Sequence, residues 1–279
     1  MVIGNIFLIV LGLIWIIFAV VQDLKKREIA NWLNFSLAIF ALSFRFFYSL
    51  FVEQGFTFFL QGVLGFGAFF IIGNLLYYGK VFAGGDAKLM ISLGAIIPFS
   101  ENLLLNINST FTFLLFFLVA GAFYGVIIGL VLGIKNRRRF VREFSTQFKK
   151  RKKIFYVSTI IAIVLIIIAF FESLFLYLGI LAFIAPYIYF SAKSIDESCM
   201  IKKINTKYLT EGDWLYRNVK IGRRLIEAKW SGLSKEEVVL LRKKKKNILI
   251  RQGIPFSPVF LISYLFLIYS LIFQKFYFF

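Results

Sequence analysis

Residues 154–191 form a 38-residue stretch whose only charged member is Glu172. A helix crosses the hydrocarbon core of a bilayer in about 20 apolar residues, so this stretch is too long for one span and right for two. Glu172 then marks the tip of a helical hairpin, with spans at 154–171 and 173–191. Further apolar windows lie at 2–22, 32–52, 56–79, 110–134 and 256–276. A shorter one, Asp86–Phe99, follows two glycines and carries Pro98 near its far end. The chain is 60% hydrophobic and its mean hydropathy is +0.82, which excludes a soluble globular domain. The fold class expected is all-α: a polytopic membrane protein of about eight transmembrane helices, one short, with a small cytoplasmic helical region.

Lys and Arg set the expected orientation. The segment Lys135–Lys153 holds ten basic residues and one acid, and Ser191–Pro255 holds sixteen against seven acids. The turns near Glu53, Glu101 and Glu172 contain none. The positive-inside rule therefore puts 23–31, 79–85, 135–153 and 191–255 in the cytoplasm and the amino terminus outside. The first window has no basic residue before it and Lys25, Lys26 and Arg27 after it, the reverse of a cleavable signal, so it is expected to remain as a helix. The chain is then a multi-pass protein of the cell membrane. Its domains are 1–134, a membrane core; 135–153, a basic cytoplasmic loop; 154–191, the hairpin; 192–255, a basic cytoplasmic region; and 256–279, a final span.

A net charge of +19 raises the question of nucleic acid, but the charge is concentrated in loops beside membrane spans. There each Lys or Arg is attracted to anionic lipid by on the order of 1 kcal/mol. Lipid head groups are the expected partner and nucleic acid is not. Cys199 is the sole cysteine and histidine is absent from the sequence. This removes disulfides, Cys-rich zinc modules, His-based acid/base catalysis and Ser-His triads. No metal and no cofactor is expected.

What remains is carboxylate chemistry. Ionisable groups at the edge of a bilayer are costly and call for a reason. Asp23 ends the first window in "DLKKREIANWLN", and Asp86 begins the short one in "AGGDAKLM". In the topology above, both lie at the cytoplasmic side at similar depth. If they meet, two carboxyls in a low-dielectric site share one proton, and the pair can activate water as aspartic proteases do. Without that meeting, Asp23 pairs with Lys25 or Lys26 and Asp86 caps the short helix.

The two segments decide between these readings. "AGGDAKLM" resembles the GxGD motif of membrane-embedded aspartic peptidases, and "DLKKREIANWLN" resembles the first-aspartate motif of the type IV prepilin and preflagellin peptidase family. The resemblance covers about residues 10–99 and implies catalytic roles for Asp23 and Asp86. Two positions depart from the family's pattern: Ala83 replaces the first glycine of GxGD, and Ala30 replaces a proline before Asn31. A second resemblance, in "LTEGDWL", "GLSKEEV" and "GIPFSPVFL", is to a carboxy-terminal element of an archaeal branch. Ser234 and Glu237 have the spacing of a capping box there, within what is expected to be a set of small helices.

The resemblance implies a membrane aspartic endopeptidase that removes short basic leaders, class III signal peptides, from archaellin or type IV pilin-like precursors at the cytoplasmic face. Gly84 and Gly85 are the candidate substrate-binding residues, because they let an extended peptide approach the enzyme backbone; a plain linker is the alternative. Glu28 is a candidate acceptor for the leader's Lys and Arg, as are Glu211 and Asp213; ordinary pairing and helix capping are their alternatives. Two other functions fit intramembrane acids: an ion- or proton-coupled transporter, and a presenilin-like protease cutting deeper in a span. The sequence has no duplicated half of the kind transporters show. Gly121, Gly125, Gly129 and Gly133 recur every four residues, a row that favours close helix packing within the fold or in a homo-oligomer. Arg45, inside the second window, is expected to snorkel outward or pair with Glu53.

Overall fold

The structure is a computed structural model and describes residues 3–53, 55–222 and 224–274. It divides into two compact units, one of Met1–Tyr124 with Ile254–Phe279 and one of Gly125–Gly253. The first contains helices α1 (Ile3–Lys26), α2 (Asn31–Tyr48), α3 (Thr57–Tyr78), α4 (Gly84–Leu93), the first part of α5 (Leu103–Lys135) and α10 (Ser257–Gln274). The second contains the end of α5, α6 (Arg137–Lys150), α7 (Lys152–Ile168), α8 (Leu174–Cys199), strands β1 (Ile201–Asn205), β2 (Trp214–Leu215), β3 (Val219–Ile221) and β4 (Arg224–Ile226), helix α9 (Lys235–Lys244) and strand β5 (Asn247–Arg251).

Each apolar window contains a helix among its described residues. Among the described residues, five helices are long and apolar enough to cross a membrane: Gly4–Lys26, Asn31–Val52, Thr57–Tyr78, Leu103–Lys135 and Leu174–Cys199. The apolar helix Ser257–Phe273 is shorter, and α7 has 17 residues. The protein is a predominantly helical, polytopic membrane protein. The expected hairpin forms, with α7 ending at Ile168, α8 beginning at Leu174 and Glu172 between them. Gly179 lets α8 approach α7 closely, since a Cβ there would lie 2.8 Å from Ile166 and 3.2 Å from the Ala162 carbonyl.

The expected short helix Asp86–Phe99 is corrected at its far end. It stops at Leu93 and gives way to tight turns, with Gly94 N–H donating to Ile91, Ala95 to Ser92 and Ile97 to Leu93. Gly65 of α3 and Gly94 make this possible: a Cβ on Gly94 would fall 2.6 Å from the Gly65 carbonyl oxygen. The backbone groups released by the break are taken up by Arg45. Its guanidinium is fully buried and donates to the carbonyls of Ala95 (2.8 Å), Ile96 (3.1 Å), Phe58 (3.0 Å) and Pro98. It also lies 4.3 Å from the Phe58 ring centre. Arg45 therefore neither snorkels nor stays at the lipid boundary, because inward carbonyls replace the water its charge requires. The side chain of Glu53 lies outside the described residues.

The basic region after α8 differs most from expectation. It is not a set of small helices: β1–β5–β2 form an antiparallel sheet, β3–β4 form a hairpin, and α9 is the only α-helix described there. Ile204, Ile248 and Ile250 contribute apolar side chains at alternating strand positions, and Leu209, Leu215, Ile226, Leu233, Val238 and Leu241 complete a small core. The expected capping box is present, with the Glu237 N–H donating to Ser234 Oγ and the Ser234 N–H to Glu237 Oε2. Gly212 and Gly232 have φ of +91° and +77°, and a Cβ on Gly232 would fall 2.2 Å from the Gly212 carbonyl oxygen. At this crossing the Gly212 N–H donates to Leu233 and the Leu233 N–H to Asp213. Trp214 and Trp230 stack with centroids 4.4 Å apart. The glycine row in α5 does not form one packing face. Gly121 meets Phe256, Gly129 meets Ile195, and Gly125 has nothing within 4 Å.

Candidate active site

Asp23 lies in the last turn of α1, and Asp86 is the third residue of α4. The chain between α1 and α2 makes a sharp corner that closes on Asp23: the Arg27 N–H donates to the Asp23 carbonyl at 2.7 Å, with Arg27 at φ 58°. The segment then runs extended into Asn31. Gln22, beside Asp23, accepts the Ala30 N–H on its side-chain oxygen at 3.0 Å.

This corner is fastened to the first turn of α4. The buried Asn34 donates from Nδ2 to the Gly85 carbonyl at 3.2 Å, and Lys88 donates to Asn31 Oδ1 at 2.6 Å. Ser92 Oγ donates to the Asn34 carbonyl at 2.7 Å. A Cβ at Gly85 would approach Ile29 to 3.3 Å, so glycine lets the two segments touch. Asp23 and Asp86, 63 residues apart in the sequence, stand on the two segments that these contacts join.

The two departures from the family pattern have simple local explanations. Ala83 has φ −71° and ψ 160°, an extended conformation open to any residue, so the positive-φ freedom of glycine is not used there. Ala30 has φ −63°, within the range a proline ring imposes, and its N–H, which proline lacks, is bonded to Gln22. The substitution keeps the angle and adds a tie to the residue before Asp23.

Asp23 is buried, and its Oδ2 accepts the Ser257 backbone N–H at the start of α10, 3.1 Å away. Tyr124 of α5 lies within electrostatic range of Asp23, and its hydroxyl donates to the Pro255 carbonyl at 2.8 Å. An aromatic group of Phe82, Phe117, Phe256 and Phe260 joins the approach to α4 with the start of α10. The sequence reading missed Ser257 and Tyr124. The Ser-Pro pair in "GIPFSPVFL" was a signal for a helix start, but not for what that start would face.

The other candidates fall in different settings. Gly84 and Gly85 open helix α4 and are not extended, so an extended peptide pairs with them only if that first turn opens. Glu28 is exposed in the corner after Asp23. In the second unit, Glu211 lies 3.7 Å from Lys235, and Asp213 accepts the Thr210 N–H at 2.7 Å, both local tasks. Among the described residues no three His, Cys, Asp or Glu side chains gather where they could hold a metal.

The segment that holds these residues is similar to known proteins. Residues 10–134 match the type IV leader peptidase family. The preflagellin peptidase of Methanococcus maripaludis is 30% identical over 151 residues, which is 50% of this chain and 65% of that protein. That of Methanococcus voltae is 30% identical over 154 residues, 54% of this chain and 64% of the relative. That of Methanocaldococcus jannaschii is 35% identical over 89 residues, 32% and 37% of the respective chains. The chain thus spans less than two thirds of the length of each of these relatives. No solved structure matches it. The segment 10–134, which holds Asp23, Asp86 and the corner after Asp23, is similar to the type IV leader peptidase family.

Proposed function

We propose that this chain is a membrane aspartic endopeptidase that removes short basic leader peptides from archaellin or type IV pilin-like precursors, and that Asp23 and Asp86 are its catalytic pair. The observation that carries the reading is that the segment after Asp23 is hydrogen-bonded to the first turns of α4, which hold Asp86, within the stretch that matches the leader peptidase family. Two carboxyls that meet in a site of low dielectric share one proton. The ionised member takes a proton from water as the oxygen adds to the scissile carbonyl, and the protonated member hydrogen-bonds that carbonyl oxygen. Return of a proton to the leaving nitrogen then breaks the C–N bond and regenerates the shared state.

We place the pair at the cytoplasmic face, where the basic loops favour that orientation, and cleavage at the inner edge of a substrate's hydrophobic helix. Glu28, exposed in the corner five residues after Asp23, receives basic leader side chains. The basic residues of α6 and the 192–255 region hold the loops against anionic lipid. The experiment is cleavage of a precursor with a basic leader by the purified protein in lipid nanodiscs. D23N and D86N should each reduce the rate about a thousandfold or more while the protein remains inserted and abundant. Full cleavage by either variant would refute the assignment. For orientation, cysteine at Lys25 or Lys80, in a chain with Cys199 replaced, should react with an impermeant thiol reagent only when the cytoplasmic face is open.

A further inference from the structure

Resting on that reading, we infer that the start of α10 is a positioning device for the catalytic pair, with the Ser257 backbone N–H holding Asp23 in its working place. Asp23 and Ser257 are 234 residues apart in the chain, and the contact is buried on both sides.

The local chemistry explains why this N–H is available. The first N–H groups of a helix have no partner inside it and must find one elsewhere. In α10, Pro258 contributes no N–H, and the Val259 N–H is turned back to the Phe256 carbonyl at 3.1 Å. Ser257 is fully buried and cannot reach water, so its N–H needs a protein acceptor. The Asp23 carboxylate supplies one, and the positive end of the α10 dipole faces it.

Two ties fix the approach to Ser257. The Tyr124 hydroxyl holds the Pro255 carbonyl, and Phe256 packs among Phe82, Phe117 and Tyr124. A second buried atom points the same way: Ser257 Oγ has no hydrogen-bond partner. With the hydroxyl unpaired, the backbone N–H is the group of Ser257 that holds Asp23. The carboxy-terminal helix thereby completes a site whose two acids both lie in the first 90 residues.

The test separates the N–H from the side chain and from the function itself. Three forms are compared with the parent in nanodiscs on the same precursor. S257P places the proline ring where the N–H was, at a first helical position that proline tolerates, and should lower kcat about 100-fold with KM within about twofold. A backbone ester at residue 257, installed by cell-free translation with the α-hydroxy analogue of serine, removes only the donor and should lower kcat about 10-fold, the range expected for a hydrogen bond to a charged group. S257A keeps the N–H and should recover at least half of the parent's kcat. The proposal is overturned if the ester form keeps the parent's kcat, or if its loss appears in KM alone. The ester decides the matter even if S257P does not accumulate. D23N is run alongside: if it cleaves as well as the parent, the catalytic reading has failed, whereas a silent D23N with a fully active ester refutes only the role of α10.

Discussion

The membrane unit that carries Asp23 and Asp86 and the basic unit after Tyr124 solve the burial of polar groups in opposite ways. In the first, polar side chains are taken deep inside and paired with backbone. Arg45 takes four carbonyls, Asn34 takes the Gly85 carbonyl, and Asp23 takes the Ser257 N–H. In the second, charges stay near the surface and pair with one another: Arg251 with Asp196 and Glu197 at 3.3 and 3.1 Å, and Lys193 with the same acids at 3.5 and 3.4 Å. The contrast teaches where substitution is expensive. A buried group with backbone partners leaves those partners unpaired when it is removed, while a solvated ion pair contributes at most about 1 kcal/mol.

The largest effect outside the acids is expected at Arg45. R45M leaves four inward carbonyls without a donor and removes the support for the broken end of α4. It should cost on the order of 3 kcal/mol or more, read as a fall in the thermal unfolding midpoint in detergent together with loss of cleavage. A variant as stable as the parent would show that the carbonyls find other donors and would break the contrast. Next comes G232V, which forces a β-branched side chain into a positive-φ position and onto the Gly212 backbone. It should unsettle the β module by about 2 kcal/mol, seen as a red shift in tryptophan emission as the Trp214–Trp230 stack opens. On the present account the chemistry resides in the first unit, so kcat in single-turnover cleavage should fall less than threefold.

R251Q sharpens the comparison from the other side. It removes a part-buried cation shared by two acids and lying over Tyr216, and should lower stability by about 1 kcal/mol, less than R45M. The smallest effect is expected at Glu28. E28Q should slow cleavage of a basic-leader precursor by two- to fivefold and leave a precursor with a neutralised leader unchanged. Equal slowing of both would remove Glu28 from substrate reading.

How far the sequence could be read follows the same division. Helical spans are long apolar runs, and each window at 2–22, 32–52, 56–79, 110–134, 154–171, 173–191 and 256–276 contains one. The acids were legible because so few ionisable groups sit at the ends of those runs. The β module was not. Its strands have two to five residues, too short for a period-two pattern to stand out among sixteen basic residues. The capping box at Ser234 was read correctly because it is local. Arg45 and Ser257 were misjudged or missed because their partners lie 50 and 234 residues away. A tertiary acceptor for a helix-end N–H leaves no mark in the sequence around it.

The central claim is that Asp23 and Asp86 work as one proton-sharing unit. Single-turnover cleavage of the basic-leader precursor by D23N, D86N and the D23N/D86N double variant tests it most directly. Groups that act together are strongly non-additive, so the account expects the double variant to be no slower than the slower single variant, each about a thousandfold below the parent. Losses that multiply in the double variant, or a single variant that cleaves at the parent's rate, would contradict it.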